Sequence, residues 1–247
     1  MLRLRNALRA AWGLYCWLLF ACLLSVAVLA AVLLPTTRLR RAAARRMARL
    51  FFALSGLSLS LAGEDRLPAG PCVVVANHAS YLDGPLLYAA LPPHFSFVIK
   101  KEMAGVPLGG WLLRRLGHQF VDRFNKAESA KDARRILKTA FSGNSVVFFP
   151  EGTFSTVPGL ARFHSGAFVT ASRAGLPIVP VVIQGARRVL PSNAALPRRA
   201  PLAVEILAPL APPAPGTPDA VPGLRQAARQ AILSRLDEPD LGDVNRG

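Results

Sequence analysis

His78 and Asp83 are the two residues of this sequence whose types and spacing best suit acid–base chemistry. An unperturbed histidine has a pKa of about 6.5, so near neutrality its ring can take a proton from a hydroxyl group as that group attacks a carbonyl. If the chain turns between the two positions, the aspartate carboxylate can hold the ring tautomer and stabilise the imidazolium. The pair thus has the chemistry that acyl transfer to an alcohol needs from a general base and its orienting partner, but the H-x-x-x-x-D pattern by itself is a weak signal. The alternative is that Asn77 or Asp83 only begins a helix.

A second polar cluster consists of Glu151, Gly152 and Thr153. Glycine lets the backbone approach a ligand closely, and backbone N–H groups together with hydroxyls can hold an anionic oxygen. Both clusters directly follow apolar runs, at residues 72–76 and 145–149. The carboxyl ends of strands are where α/β folds place their sites. An ordinary turn after a strand is the alternative interpretation of the second cluster.

The elements that must position these clusters alternate between strands and helices. Continuously apolar runs, typical of strands covered on both faces, lie at 72–76, 96–99, 119–122, 145–149, 178–183 and 202–207. Helix-like segments lie at 84–91, 107–116, 126–143, 166–175 and about 223–236, and residues 208–222 form a proline-rich loop. This order predicts an α/β fold with a central, mostly parallel sheet flanked by helices.

The composition limits the possible classes of protein. At 247 residues and 52% hydrophobic, the chain can form one well-buried domain and is not disordered. Its net charge is +16, and nine arginines but no acidic residue precede Glu64. Because these arginines flank an apolar run, the charge favours anionic lipid head groups, and we expect no nucleic-acid partner. The three cysteines form neither a disulfide framework nor a metal-site pattern, so we expect no metal.

Residues 10–34 contain no charged side chain. A helix of this length would extend roughly 37 Å, enough to span a bilayer with some tilt or to dip into it. A cleaved signal peptide is the alternative, although its apolar core is usually shorter, about 7–15 residues. Residues 39–62 are basic and then apolar, which predicts an interfacial helix; a basic linker is the alternative. Residues 1–62 thus form a membrane-associated helical pair.

Four ordered blocks carry a resemblance to a known family. They are N-H-A-S-Y-L-D at 77–83, G-H-Q-F-V-D-R at 117–123, F-P-E-G-T-F-S at 149–155 and I-V-P-V-V at 178–182. In this order they resemble the glycerolipid acyltransferases, such as the 1-acylglycerol-3-phosphate acyltransferases. The stretch that begins at Lys100 is similar to the family's segment between the first two blocks. The resemblance implies an acyltransferase domain, which we assign to residues 63–237, and the sequence after the last helix-like segment predicts a mobile tail over 238–247.

The resemblance also implies the mechanism and the site. The acceptor hydroxyl attacks the thioester directly with His78 as general base and Asp83 as its partner, so no acyl-enzyme and no cofactor is needed. The co-substrates are acyl-CoA or acyl carrier protein and a lysophospholipid, most simply lysophosphatidate. Arg123 binds the acceptor phosphate. The other substrate-binding residues implied are Asn77, Lys100, Glu151, Gly152, Thr153, Arg162, Val179 and Pro180.

Phe154 departs from the family pattern, in which this position is commonly an arginine thought to meet the phosphate. Phenylalanine cannot replace a bidentate donor. Either Arg162 supplies the charge, or the acceptor is another lysolipid, such as a lyso-aminolipid. Two further alternatives are a metal-dependent lipid hydrolase with His78, Asp83 and Glu151 as ligands, and a lipid-binding protein. The arginines after Leu34 favour a membrane location of bacterial inner-membrane type with the catalytic domain facing the cytoplasm.

Overall fold

The computed structural model describes residues 2–122, 126–212 and 220–242. Within these ranges it shows seven strands: β1 Leu59–Ala62, β2 Val73–Ala76, β3 Ser96–Lys100, β4 Gln119–Val121, β5 Val146–Phe148, β6 Ile178–Gln184 and β7 Leu202–Ile206. They form one sheet in the order β1-β7-β6-β2-β5-β3-β4. Every neighbouring pair is parallel except β6 and β7. The predicted α/β class with a mostly parallel sheet is confirmed.

Helices cover both faces of this sheet. The described ranges contain α1 Leu2–Leu33, α2 Thr37–Ser55, α3 Asp83–Ala90, α4 Gly109–Arg115, α5 Lys126–Phe141, α6 Gly166–Ala174, α7 Ala186–Val189 and α8 Ala220–Leu233. Val74 and Ala76 of β2 pack into the core shared with α2 and α3, whereas Val73 and Val75 pack into the core shared with α5, α6 and α8. Successive strand residues point to opposite faces, so a strand buried on both sides has no polar alternation.

The central strands β2 and β5 mark the point where the chain changes direction across the sheet. From β2 the chain passes through α3 to β3, which lies beyond β5. From β5 it passes through α6 to β6, which lies beyond β2 on the other side. The loops after β2 and β5 therefore leave in opposite directions, and a crevice opens between the carboxyl ends of these strands. Both polar clusters of the sequence lie at this crevice.

The prediction of a single basic helix over residues 39–62 is wrong in its last part. α2 begins after Thr36, whose side chain accepts a hydrogen bond from the backbone N–H of Leu39, and ends at Gly56 with φ 73°. Residues 59–62 form β1, which pairs with β7 at the sheet edge. The sequence L-S-L-A there alternates between more and less exposed positions, as an edge strand does. The sheet thus begins within the segment assigned to the membrane helices.

α1 packs against the globular domain along most of its length. Trp12 and Tyr15 donate hydrogen bonds to carbonyls at the end of α2, and Trp17 donates to the carbonyl of Ala195. Near the other end Ala31 is buried, and its carbonyl accepts hydrogen bonds from Arg115 of α4. The opposite face exposes large apolar side chains, among them Leu14, Leu18, Val26, Leu29 and Val32.

The C-terminal part also differs from the prediction. α8 begins at Ala220, before the predicted start. Pro222 is tolerated there because backbone N–H groups in the first turn of a helix have no acceptor within the helix, so proline removes no hydrogen bond. Residues 238–242, predicted to be mobile, are held by ion pairs of Glu238 with Arg187 and of Asp240 with Arg229. Residues 243–247, the rest of the predicted tail, lie outside the described residues.

Candidate active site

His78 and Asp83 are in direct contact at the crevice. His78 lies in the loop after β2, Asp83 is the first residue of α3, and the ring Nδ1 is 2.8 Å from the carboxylate Oδ2. The same oxygen accepts hydrogen bonds from the backbone N–H groups of Ala79 (2.6 Å) and Ser80 (2.8 Å). These donors hold a fully buried carboxylate in place. Because the carboxylate is an acceptor, Nδ1 carries the ring proton, and the lone pair of Nε2 can take a proton from a substrate.

Glu151 ties the loop after β5 to the loop after β2. Its side chain is buried; Oε1 accepts the backbone N–H of His78 (2.6 Å) and Oε2 accepts the backbone N–H of Ala161 (2.8 Å). Burial raises the pKa of the Glu151 carboxyl to about 7, against the opposing effect of these two donors. The sequence placed Glu151 in the acceptor site, but no local signal indicated that both oxygens bind backbone amides. Glu151 thus fixes the position of the His78 backbone.

Aromatic rings surround the His78 imidazole. Phe149 stacks on it with ring centroids 4.2 Å apart and an interplanar angle of 19°. Phe154 meets it edge-on, with centroids 4.5 Å apart, and Tyr81 packs edge-on against Phe154. The residue that replaces the family's arginine therefore lies against the candidate base itself. The sequence showed the substitution but gave no sign of this contact.

Four further predicted site residues lie at the carboxyl ends of the strands, in different environments. Asn77 is buried, and its amide group exchanges two hydrogen bonds with the backbone of Ile183, at 2.9 and 2.7 Å. This side chain therefore joins β2 to β6. Gly152 has φ 81°, a left-handed conformation that favours glycine, and turns the chain so that Thr153 is exposed. Lys100 is exposed at the carboxyl end of β3.

The structure does not bring Val179, Pro180 or Arg162 to His78. Val179 and Pro180 lie within β6 opposite Val74 and Val75, inside the sheet rather than at its edge. Arg162 lines a separate groove of about 710 Å³ together with residues of α8 and the C-terminal segment. The assignment of these three residues to the acceptor pocket is therefore not supported by their positions. Arg123 lies outside the described residues.

The described part of the chain contains no group of three His, Cys, Asp or Glu side chains arranged to hold a metal ion. Two of the ligands needed by a metal-dependent hydrolase, His78 and Asp83, bind each other, and the Glu151 oxygens face backbone amides. His78 Nδ1, Asp83 Oδ2 and both Glu151 oxygens are thus engaged with protein groups, whereas a metal site usually requires several free lone pairs that converge on one point. The arrangement instead suits general-base catalysis.

Comparison with known proteins agrees with this geometry. Residues 58–184 match the Acyltransferase family. The chain belongs to this family. A 1-acyl-sn-glycerol-3-phosphate acyltransferase of Chlamydomonas reinhardtii is 33% identical over 75% of this chain and 55% of its own length. One of Saccharomyces cerevisiae is 32% identical over 63% of this chain and 52% of its own length. The chain thus spans about half the length of these relatives.

Two further relatives are informative about this acyltransferase family member. A lyso-ornithine lipid O-acyltransferase of Pseudomonas aeruginosa is 34% identical over 59% of this chain and 54% of its own length. The crystal structure of the 1-acyl-sn-glycerophosphate acyltransferase PlsC of Thermotoga maritima superposes with a TM-score of 0.75 over 93% of this chain and 97% of that one. At 19% identity this second likeness shows the fold alone. The predicted resemblance to glycerolipid acyltransferases is confirmed.

Proposed function

We propose that this protein transfers a fatty acyl group from a thioester donor to the free hydroxyl of a lysophospholipid, with lysophosphatidate as acceptor and phosphatidate as product. The observation that carries the proposal is the contact of His78 with Asp83 at the crevice between β2 and β5. The names of the relatives in Chlamydomonas reinhardtii and Saccharomyces cerevisiae support the same acceptor.

The mechanism follows from the tautomer of His78. Nε2 takes the proton of the acceptor hydroxyl as its oxygen attacks the thioester carbonyl, and Asp83 stabilises the resulting imidazolium. When the tetrahedral intermediate collapses, the carbon–sulfur bond breaks and the thiolate takes the proton back from the ring. The released thiol is coenzyme A or acyl carrier protein, and the enzyme itself is never acylated. No cofactor takes part in these steps.

Phe154 supports a second candidate acceptor. Its ring occupies the space beside His78, where a phosphate near the acceptor hydroxyl would lose its hydration without gaining a donor from this side chain. A lyso-aminolipid whose hydroxyl is flanked by hydrocarbon would lose less hydration on binding there. The similarity to a protein named lyso-ornithine lipid O-acyltransferase points the same way.

An acceptor screen tests both candidates. We expect the purified protein to consume acyl-CoA or acyl carrier protein thioester with lysophosphatidate, and Phe154→Arg to raise kcat/KM for this acceptor by about tenfold, as a charge-assisted hydrogen bond to phosphate would. Val157→Arg is the control, since Val157 is exposed in the same loop. Acylation of lyso-ornithine lipid but not of lysophosphatidate would identify the second acceptor. Thioester consumption with neither lysolipid would contradict the proposed function.

α1 supports membrane attachment by dipping into one leaflet rather than by spanning the bilayer. Among the residues that the structure describes, α1 is the helix that is long and apolar enough to cross a membrane. However, its contacts with the domain extend from Trp12 to Ala31, roughly 28 Å along a helix, which is close to the thickness of a bilayer's hydrocarbon core. If the helix crossed the membrane perpendicularly, only one of its ends could contact a domain that lies in water. We propose that its exposed apolar face lies among acyl chains, so that the lysolipid reaches the crevice laterally on the cytoplasmic side of a bacterial-type inner membrane.

Cysteine labelling distinguishes dipping from spanning. With Cys22 replaced by serine and Cys16 and Cys72 buried, Arg3→Cys in the first turn of α1 and Arg38→Cys in the first turn of α2, just beyond the other end of α1, each introduce one reactive thiol. A third variant, Val157→Cys, marks the side of a sealed vesicle on which the domain lies. We expect a membrane-impermeant maleimide added on that side to label Arg3→Cys and Arg38→Cys as well. Labelling of the two ends from opposite sides would contradict the dipping arrangement.

A further inference from the structure

Residues 238–242 contact the loop that carries Glu151. We propose that four side chains, Arg187, Arg229, Glu238 and Asp240, form a C-terminal clamp that positions Glu151 and, through it, the backbone of His78. The inference rests on the proposed function, because it assigns positioning residues to the same site. The loop in question, residues 149–165, joins β5 to α6 and is called the Glu151 loop below.

Glu238 and Arg187 hold the Glu151 loop at Gly159 and Ser155. Glu238 accepts hydrogen bonds from Arg187 Nε (3.0 Å) and Nη2 (3.2 Å) and from the backbone N–H of Gly159 (2.7 Å). Arg187, on α7, also donates to the carbonyl of Ser155. Both side chains are largely shielded from water, which strengthens charge-assisted hydrogen bonds relative to exposed ones. This pair thus binds the loop through one N–H and one carbonyl.

Arg229 and Asp240 hold the Glu151 loop at Leu160 and Ala161. Arg229, on α8, is buried and donates to the carboxylate of Asp240 (2.9 Å) and to the carbonyls of Leu160 (2.9 Å) and Ala161 (3.4 Å). The hydrogen bond from Arg229 lowers the pKa of the Asp240 carboxyl to about 2, so the pair stays ionised at neutral pH. The backbone adds two hydrogen bonds, from Leu160 N–H to Pro239 and from Leu241 N–H to Leu160.

Two hydrogen bonds to Glu151 connect Ala161, which the clamp holds, to the backbone of the candidate base. The carbonyl of Ala161 is held by Arg229, and its N–H donates to Glu151 Oε2, whose partner oxygen accepts the N–H of His78. Gly159 permits the close approach: it has φ 135°, and a Cβ there would lie 2.4 Å from Leu241 Cγ. The path from Asp240 to His78 therefore consists of direct contacts at every step.

The test combines removal of the clamp carboxylates with a change at Glu151. We expect Glu238→Ala/Asp240→Ala to lower kcat/KM for the acceptor by about tenfold, since small displacements in an active site can cost up to about 10²-fold. In a Glu151→Gln background, where the link is already weakened, the same two substitutions should lower kcat/KM by less than about twofold. Hydrogen exchange should accelerate at the amides of Gly159–Ala161 and of His78. Glu205→Ala is the matched control, because it removes a partly exposed ion pair with Arg66 at another part of the sheet.

The two readouts separate the possible failures. An equal loss of kcat/KM in the wild-type and Glu151→Gln backgrounds would show that the clamp carboxylates do not act through Glu151, and would overturn the proposal. Unchanged exchange at the His78 amide would overturn it too, whether or not the protein acylates a lysolipid. If the exchange result is as expected but no lysolipid is acylated, then the proposed function fails while the clamp stands.

Discussion

Replacing His78 by alanine is expected to lower kcat for acyl transfer by about 10²- to 10⁴-fold, the usual contribution of a positioned general base. The ring is the group at the crevice whose Nε2 can take the hydroxyl proton, because Nδ1 is committed to Asp83. The acceptor KM should change little, since proton transfer occurs in the transition state and not on binding. The measurement is steady-state thioester consumption at saturating acceptor, with the fold checked by circular dichroism.

Two variants control this experiment. His94→Ala removes an exposed histidine that precedes β3, at the opposite edge of the sheet, and should keep the wild-type kcat. His78→Asn retains a side chain that can hydrogen-bond Asp83 but cannot accept a proton near neutral pH, so it should lose as much activity as His78→Ala. Equal, measurable rates for wild type and His78→Ala would remove His78 from the mechanism and favour another catalytic group, whereas no thioester consumption by either would favour a lipid-binding protein.

Asp83→Asn is the second change with a large expected effect. An asparagine fits the same space and can still accept the N–H groups of Ala79 and Ser80, but it removes the charge that stabilises the imidazolium. We expect kcat to fall by about 10²- to 10³-fold, as for loss of much of the general-base contribution. A fall in the melting temperature should accompany it, because the fully buried carboxylate loses charge-assisted hydrogen bonds.

A double variant shows whether Asp83 acts through His78. If it does, His78→Ala/Asp83→Asn should be no less active than His78→Ala alone, because the orienting group has no ring left to orient. Independent, multiplicative losses would show instead that Asp83 acts by another route, such as the stability of the turn at the start of α3. The comparison should be made below the melting temperature of the least stable variant.

Residues 1–62, predicted to be membrane-associated, show which structural features the sequence alone could predict. A run without charges from residue 10 to 34 predicts an apolar helix, and the structure contains it as α1. The pattern could not show that one face of this helix packs on α2 and α4, because the partners of Trp12 and Ala31 lie 43 and 84 positions further along the chain. It also could not separate helix from strand over 59–62, since four residues are too few to establish a period.

The sequence by itself determined the features that depend on residues close together along the chain. The apolar runs specified the buried strands, and the spacing of His78 and Asp83 specified their contact, because only five positions separate His78 from Asp83, the first residue of α3. Only the tertiary structure decided that Glu151 fixes the His78 backbone, that Phe154 packs on the imidazole, and that the C-terminal segment holds the Glu151 loop. These contacts join residues some 70 to 80 positions apart. No local pattern encodes such pairs, since they arise when the parallel sheet brings the ends of separate strands together.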